Sequence, residues 1–451
     1  MASAADSLAR NLSFANFSKA TELKKRLWFT VGALIVFRLC SFVPLPGIDP
    51  QSLSQLFDRT AGGMLDFVNM FSGGALERMS IIALGIMPYI TASIVVQLMG
   101  SIYEPWKALK KEGESGRKKL NQYTRFGTVV LTIFQGYGIA VGLEGWGSAE
   151  GMSAVIDPGW FFRISTMITL LGGTMFLMWL GEQITSRGIG NGISLIIMAG
   201  IVAQIPIGIG GLFEQLRTGA ISGGFVFIIL VLVLVVTAFI CLMERAQRRV
   251  PIQYPKRQVG NRMFQGDSSH LPLKLNTANV IPPIFASSLL LLPLTVAQFM
   301  GEGAAGQSDW LLTVTTALQH GAPLYMLLYA AGIIFFCFFY TAVVFNPEDT
   351  AENLKKQGGF IPGIRPGTKT ATYLDYVLTR ITVVGAAYLT LVCLLPEFLI
   401  ARMAVPFYLG GTSLLIVVNV TMDTVSQIQG HLLAHQYEGL LKKSKLRGGR
   451  R

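Results

Sequence analysis

The chain has 451 residues, 51% of them hydrophobic and only 14% charged, with a mean hydropathy of +0.52 and a formal net charge of +12. That balance excludes a soluble or disordered chain and indicates a polytopic helical membrane protein. Cys40, Cys241, Cys337 and Cys393 all fall within or at the edge of apolar stretches and read as small apolar residues, not as a disulfide framework.

The first 26 residues are polar and lack the short apolar core and small-residue cleavage site of a signal peptide, so the first span, 27 to 43, is expected to stay. Arg38 lies inside that span, where a charge faces protein or snorkels to the interface. Next come Gly62, Gly63, Met64, Leu65, Asp66, Phe67, Val68, Asn69, Met70, Phe71, Ser72, Gly73 and Gly74, a short piece between two glycine pairs. At ~1.5 Å per helical residue it cannot cross a bilayer core of ~30 Å. Asp66 and Asn69 also make it too polar for a lipid-facing helix, so it can enter a membrane only inside a protein cavity. The second span, 78 to 100, places Ile86, Ile90 and Ile94 on one helix face, and Pro88 is expected to free a backbone carbonyl within it.

Further apolar stretches lie at 125 to 143, 160 to 180, 190 to 207, 223 to 243, 276 to 299, 322 to 345, 373 to 395 and 405 to 426, which brings the full spans to ten. The run GIGNGIS at Gly188 to Ser194 imitates a nucleotide loop but follows no strand, and reads as a helix-entry turn. Of the 37 Lys and Arg, all but Arg38, Arg59, Arg78, Arg163, Arg217 and Arg402 fall on one side if the N-terminus is cytoplasmic. The positive-inside rule therefore puts both termini in the cytoplasm. Segment 244 to 274 alternates Val250, Ile252 and Tyr254 ahead of a Pro-Lys-Arg tip, a hairpin pattern. In 346 to 372, Gly358, Gly359, Pro362, Gly363, Pro366 and Gly367 are expected to hold an extended turn around Arg365. Two long basic loops on one side suggest a platform for a soluble machine, with Arg248, Arg249, Lys256, Arg257 and Arg365 as docking residues; solvated topogenic charge is the plainer reading of each.

No catalytic motif is present: GxxxxGK[ST], HExxH and GxSxG are absent, and His431 and His435 lack the glutamate of a zinc protease. The chain is therefore read as no enzyme and as needing no metal or cofactor. A secondary transporter would need ionisable ligands at the midplane, where this chain offers isoleucine. An intramembrane protease would need a Ser and His pair or two aspartates inside spans.

The blocks MFSGGALERMSIIALGIMPYITASIVVQL, GTMFLMWLGEQITSRGIGNGIS, HLPLKLNTANVIPPIFASS and YTAVVFNPEDTAENLKKQGGFIPGIRPG resemble the SecY family, the channel subunits of the bacterial protein translocase. The resemblance implies an all-α polytopic membrane protein with ten transmembrane helices in two inverted, pseudo-symmetric five-helix halves, 27 to 210 and 220 to 426, around a central pore. Segments 1 to 26 and 427 to 451 would flank them in the cytoplasm. By the family's motifs the pore ring falls at Ile86, Ile90, Ile193, Ile197, Ile284 and Ile416, and the plug at Gly62 to Gly74. A lateral gate between the second and third spans and the seventh and eighth would carry Thr91, Gln97, Gln135 and Asn276. Such a channel passes unfolded polypeptides across the bacterial inner membrane and releases membrane segments sideways. It is a passive pore, with SecE and SecG beside it, SecA or a ribosome driving it, and signal peptides and anionic lipids as further partners.

Overall fold

A computed structural model of the protein describes residues 21–49, 52–53, 69, 71–145, 154–219, 221–254, 257–259, 262–264, 268–290, 317, 322–403 and 411–448. In chain order its helices are α1 (Thr21–Cys40), α2 (Met87–Ile102), α3 (Glu104–Lys111), α4 (Glu114–Gly145), α5 (Trp160–Arg187), α6 (Gly192–Arg217) and α7 (Gly223–Arg245). They are followed by α8 (Ile281–Leu290), α9 (Pro323–Val344), α10 (Pro347–Lys356), α11 (Thr368–Met403) and α12 (Gly411–Gly448). Among the described residues, six helices are both long and apolar enough to span: α4, α5, α6, α7, α11 and the one beginning at Pro323. The last helix does not stop at 426 but continues through the basic tail to Gly448.

The helices pack as two groups. One holds α1 to α6, chiefly through α4 against α5, α2 against α4 and α5 against α6; the other holds α7, α9, α10, α11 and α12. The groups meet along α6 and α12, with smaller contacts of α1 on α12 and α6 on α7.

The second span departs from its expected form. Its helix begins only at Met87, and residues 73 to 86 are a chain of turns buried inside the bundle. Pro88 stands in the first turn of α2, where its missing N–H has no helical partner to lose, so it frees no carbonyl within the helix. Irregular backbone at membrane depth must find its hydrogen bonds in protein, and here it does. Leu45 N–H donates to the Met79 carbonyl (2.8 Å) and Ile81 N–H to that of Val43 (3.0 Å), while Ser80, Ala83 and Gly85 bond back to Ala75, Ser80 and Ile82. Ser72 and Ser80 hydroxyls accept from the N–H groups of Leu76 and Ile82.

Glycines on the neighbouring helices make room for this strand of turns. Gly173 on α5 lies so close under the Ile81 carbonyl that a methyl there would overlap it, and a Cβ on Gly200 of α6 would meet the Phe71 carbonyl at 2.9 Å. Gly188 to Gly190 form the expected entry into α6, with Asn191 as its N-cap. Thr30 of α1 accepts from Ile189 N–H (3.1 Å), and Gln427 of α12 accepts from Gly190 N–H (2.9 Å).

Between α7 and α8 the chain forms two antiparallel ribbons. Strand β1 (Gln247–Gln253) pairs with β4 (Ser268–Lys274), in register Val250 to Leu271, and β2 (Arg257–Val259) pairs with β3 (Arg262–Phe264). Arg257 is itself paired, opposite Phe264, and Val259 stands opposite Arg262, so strand pairing extends beyond the expected Pro-Lys-Arg tip. Segment 346 to 372 holds the expected turn around Arg365, with Gly358, Gly363 and Gly367 at φ of 75°, 81° and 108°, and adds a helix ahead of it. Its first part is α10, capped by Asn346, which accepts from Glu348 N–H at 3.1 Å. Glu348 and Asp349 in its first turn and Lys355 and Lys356 in its last complement the helix dipole.

The glycine notch gives a direct check with an internal control. Gly173→Ala should lower the thermal midpoint and membrane accumulation of the protein, by an overpacking penalty of ~1–3 kcal/mol. Gly172→Ala, one residue away with nothing within 4 Å of its would-be Cβ, should be neutral or slightly stabilising, by up to ~1 kcal/mol of helix propensity. Detergent melting curves of the two variants make the comparison.

Candidate functional site

The six isoleucines come from four helices and the turn before α2, and the fold brings them to one apolar cluster. Ile86, Ile90, Ile197 and Ile416 are buried in it, and Ile193 and Ile284 are half-buried against it. Ile86 is the N-cap residue of α2, and its carbonyl accepts from Ile90 N–H at 3.1 Å, which fixes the two side chains one turn apart. Ile193, in the first turn of α6, also leans on α5, where a Cβ on Gly181 would lie 3.0 Å from its Cγ1. Phe71, Ala278, Phe285 and Leu415 belong to the same cluster. An all-aliphatic lining offers no ligand to an ion and little to hold water.

Of the segment between the glycine pairs, Gly62, Gly63, Met64, Leu65, Asp66, Phe67, Val68 and Met70 lie outside the described residues. Asn69, Phe71, Ser72, Gly73 and Gly74 are described, and their polar groups are turned inward. The Asn69 side chain accepts from Glu77 N–H (3.0 Å) and donates to the Glu77 carboxylate (3.3 Å), and its carbonyl accepts from Gly74 N–H (2.9 Å). Gly73 and Gly74 sit at φ of 71° and 81°, a backbone region that favours glycine. Asn69 is thus the clasp of a closed loop that ends beside the isoleucine cluster.

The four polar residues expected at the seam do not act alike. Thr91 donates to the Met87 carbonyl (3.1 Å) and Gln97 to the Ser93 hydroxyl (3.2 Å), both within α2. The Oε1 of Gln135 on α4 is buried and has no hydrogen-bond partner among the described residues. Asn276 alone reaches another helix, and its partner belongs to the sixth span, not to the second or third. Its amide donates to the Glu244 carboxylate at 2.7 Å and to the Asn279 carbonyl at 3.0 Å.

Glu244 was not singled out in the sequence, where it reads as the first residue of a loop. It is 8% exposed, at the last turn of α7, with the Tyr388 hydroxyl of α11 donating at 3.5 Å. A carboxylate at a helix C-terminus opposes the dipole, so a Glu in the last turn of a 23-residue span whose only other charge is Arg245 was the signal available. It joins α7 and α11 to the entry of α8.

On the basic side, the two loops form one body. Gln253 and Phe360 exchange both backbone hydrogen bonds (2.9 and 3.0 Å), adding one residue of the second loop to the free edge of β1. Val250 and Leu273 of the ribbon, Ile361 of the loop, and Leu374, Val377 and Ile381 of α11 share a small core beneath. Arg248 and Arg249 are exposed and, as neighbours in a strand, point to opposite faces of the ribbon, so they do not present one surface together. Lys256 lies outside the described residues, and Arg257 is placed in β2 by its backbone alone. Arg365 is exposed at the turn, its carbonyl held by the Thr370 hydroxyl at 3.1 Å.

Comparison with known proteins gives a consistent result. The family model of SecY matches residues 80–425. The protein translocase subunit SecY of Escherichia coli strain K12 is 56% identical over 427 residues, which cover 95% of this chain and 96% of that one. A SecY structure, described as one whose plug domain stabilises the closed state of the translocation channel, superimposes with a TM-score of 0.65 at 18% identity, covering 91% of this chain and 92% of that one. Sec61 from a canine ribosome-channel complex aligns with a TM-score of 0.60 at the same identity and coverage. At that identity the two structures speak for the fold alone.

The buried carboxylate yields a thermodynamic prediction. In a double-mutant cycle, Glu244→Gln and Asn276→Ala should couple by about 0.5–2 kcal/mol, the range of hydrogen bonds between membrane helices. Gln97→Ala paired with Asn276→Ala should add within error. Unfolding of the purified protein in detergent measures both.

Proposed function

The chain belongs to the SecY family of protein-translocase channel subunits, and from that premise we propose how its own residues conduct and close. It is a protein-conducting channel, passing unfolded polypeptides across a membrane and releasing apolar segments sideways into it. We assign the constriction to Ile86, Ile90, Ile193, Ile197, Ile284 and Ile416. The observation that carries this assignment is their common membership of one apolar cluster, although they are scattered over more than three hundred residues of sequence. Isoleucine side chains are bulky and uncharged, so a collar of them presses on any passing chain and dewets when empty.

Residues 62 to 74 are read as the plug under that collar, and the segments 27 to 210 and 220 to 426 as the two halves that part around it. The packing of α6 on α12 supports a hinge on that side. The seam opposite would be the lateral gate. There Thr91, Gln97 and Gln135 line one wall, and Asn276 belongs to the other wall through its tie to Glu244. The bilayer is the bacterial inner membrane with both termini cytoplasmic, a reading supported by the one-sided placement of Lys and Arg. SecE and SecG are the expected neighbours in the membrane and anionic lipids its surroundings. The chain is not read as an enzyme, so the work comes from SecA or a translating ribosome docked on the cytoplasmic platform; a ribosome is what the canine relative is seen with.

Replacing Ile90 and Ile416 together by Asn should let water persist in the constriction. Resting ion conductance in planar bilayers should then rise by about an order of magnitude, equivalent to ~1.4 kcal/mol of lost preference for the closed state. Unchanged conductance would move the constriction elsewhere.

The platform is tested by charge reversal. Arg365→Glu should abolish SecA-driven import of a secreted precursor into vesicles while leaving channel insertion intact, because a guanidinium in a fixed turn suits fork-shaped pairing with a carboxylate or phosphate. Lys445→Glu, in the basic tail, should have little effect. Equal import by the two variants, normalised to channel protein, would return Arg365 to plain topogenic charge.

A further inference from the structure

Arg38 is a charged residue within the first membrane helix, a position that is expensive to fill and is therefore a functional candidate with its partner to be named. Its partner is a backbone carbonyl thirty-five residues away. Nη1 of Arg38 donates to the Gly73 oxygen at 2.6 Å. Gly73 is also pinned from behind, since a Cβ there would meet the Gly200 Cα of α6 at 2.9 Å, and Gly74 is so close to Gln204 that its Cβ would lie 2.6 Å from the amide nitrogen.

A second arginine shares the site. The Arg38 guanidinium lies 4.9 Å from the centre of the Phe42 ring and that of Arg78 lies 4.4 Å from it. One nitrogen of Arg78 is buried and without a hydrogen-bond partner, and among the described residues neither arginine has a carboxylate in ion-pair reach. The nearest acid in sequence, Glu77, is engaged by Asn69. Two cations over one aromatic ring, with no carboxylate in ion-pair reach among the described residues, amount to a loaded arrangement. It is kept by the ring quadrupole and by the one strong hydrogen bond Arg38 makes.

We propose that Arg38 is a positioning residue that latches the pivot of the plug: its guanidinium, by holding the Gly73 carbonyl, ties the end of that segment to α1 and so keeps the resting channel closed. The proposal rests on reading residues 62 to 74 as the plug and goes beyond it by naming what holds that segment from the first span. Asn69, Gly74 and Glu77 close the loop at its base, Gly200 gives it a flat wall, and Arg38 supplies the tie from α1. Arginine fits where lysine does not, because one planar group both donates in-plane and lies over the ring.

The test uses the whole chain purified with its membrane partners and reads resting ion conductance in planar bilayers for Arg38→Met, for deletion of residues 62–68, and for the two combined. Arg38→Met should raise resting conductance roughly tenfold, as loss of a hydrogen bond from a charged donor implies, and should add nothing in the deletion background. Arg38→Lys should fall between wild type and Arg38→Met. A leaking deletion with a tight Arg38→Met would overturn the latch and leave the plug reading standing. Leaks that add in full would show that Arg38 acts on something other than the plug, which also overturns the latch. A deletion that does not leak removes the plug reading and the latch with it. Should Arg38→Met fail to accumulate, Arg38→Gln, uncharged and too short to reach, carries the same expectations.

Discussion

Everything in this molecule is arranged around a stretch of non-helical backbone in a place where backbone has no water to turn to. Residues 73 to 86 run as turns through the middle of a helical bundle, and each of their polar groups must be matched inside the protein. The matching groups are local and specific: Ser72, Ser80 and Asn69 side chains, the Val43 carbonyl and the Leu45 N–H. The bundle in turn has to let the turns approach, which is why Gly173 and Gly200 interrupt otherwise bulky helices. A continuous second helix would need none of this. It would also fill the centre permanently, and a channel cannot have its centre filled by a structural span.

A resting channel has to be tight to ions and yet not welded shut. In the constriction proposed here, the core around Ile90 and Ile416 would meet the first need with dispersion contacts and dryness, both of which act without direction. Nothing in it resists a side chain sliding past. The directional bonds lie at the margins of the cluster, in the Asn69 clasp, the Arg38 hydrogen bond and the tie from Glu244 to Asn276. On the proposed reading, closure is divided between an apolar seal that a passing polypeptide can part and a few polar holds at its margins.

Much of this was legible in the sequence. The long apolar runs became α4, α5, α6, α7 and α9 nearly as read, because twenty uninterrupted apolar residues leave the chain no other option. The alternation of Val250 and Ile252 gave the ribbon. The second span misled because apolar content fixes burial, not conformation: Ile81 to Gly85 is as apolar as a helix and is held as turns by Ser80 and by the strand-like pairing of Pro44 with Ser80. The extent of the hairpin was misread because the Pro-Lys-Arg tripeptide reads as the turn, whereas strand pairing resumes at Arg257. Glu244 was missed for a different reason. Its importance lies in two partners, Asn276 and Tyr388, that are remote in sequence, and no local pattern reveals such a meeting. The joining of the two basic loops through Phe360 is of the same kind.

The hydrogen bond from Gly190 N–H to Gln427 spans 237 residues. During synthesis at roughly 5–20 residues per second, the turn before α6 waits on the order of ten to fifty seconds for its acceptor to be made. The face of α6 that packs on α12 is bare for the same interval. The nascent chain therefore passes through a long-lived intermediate whose first five spans are inserted but whose central seam has no second wall. Ribosome stalling or truncation anywhere before α12 would leave that intermediate in the membrane, with an unpaired backbone amide and an exposed apolar groove as the marks by which quality control could tell an unfinished chain from a finished one.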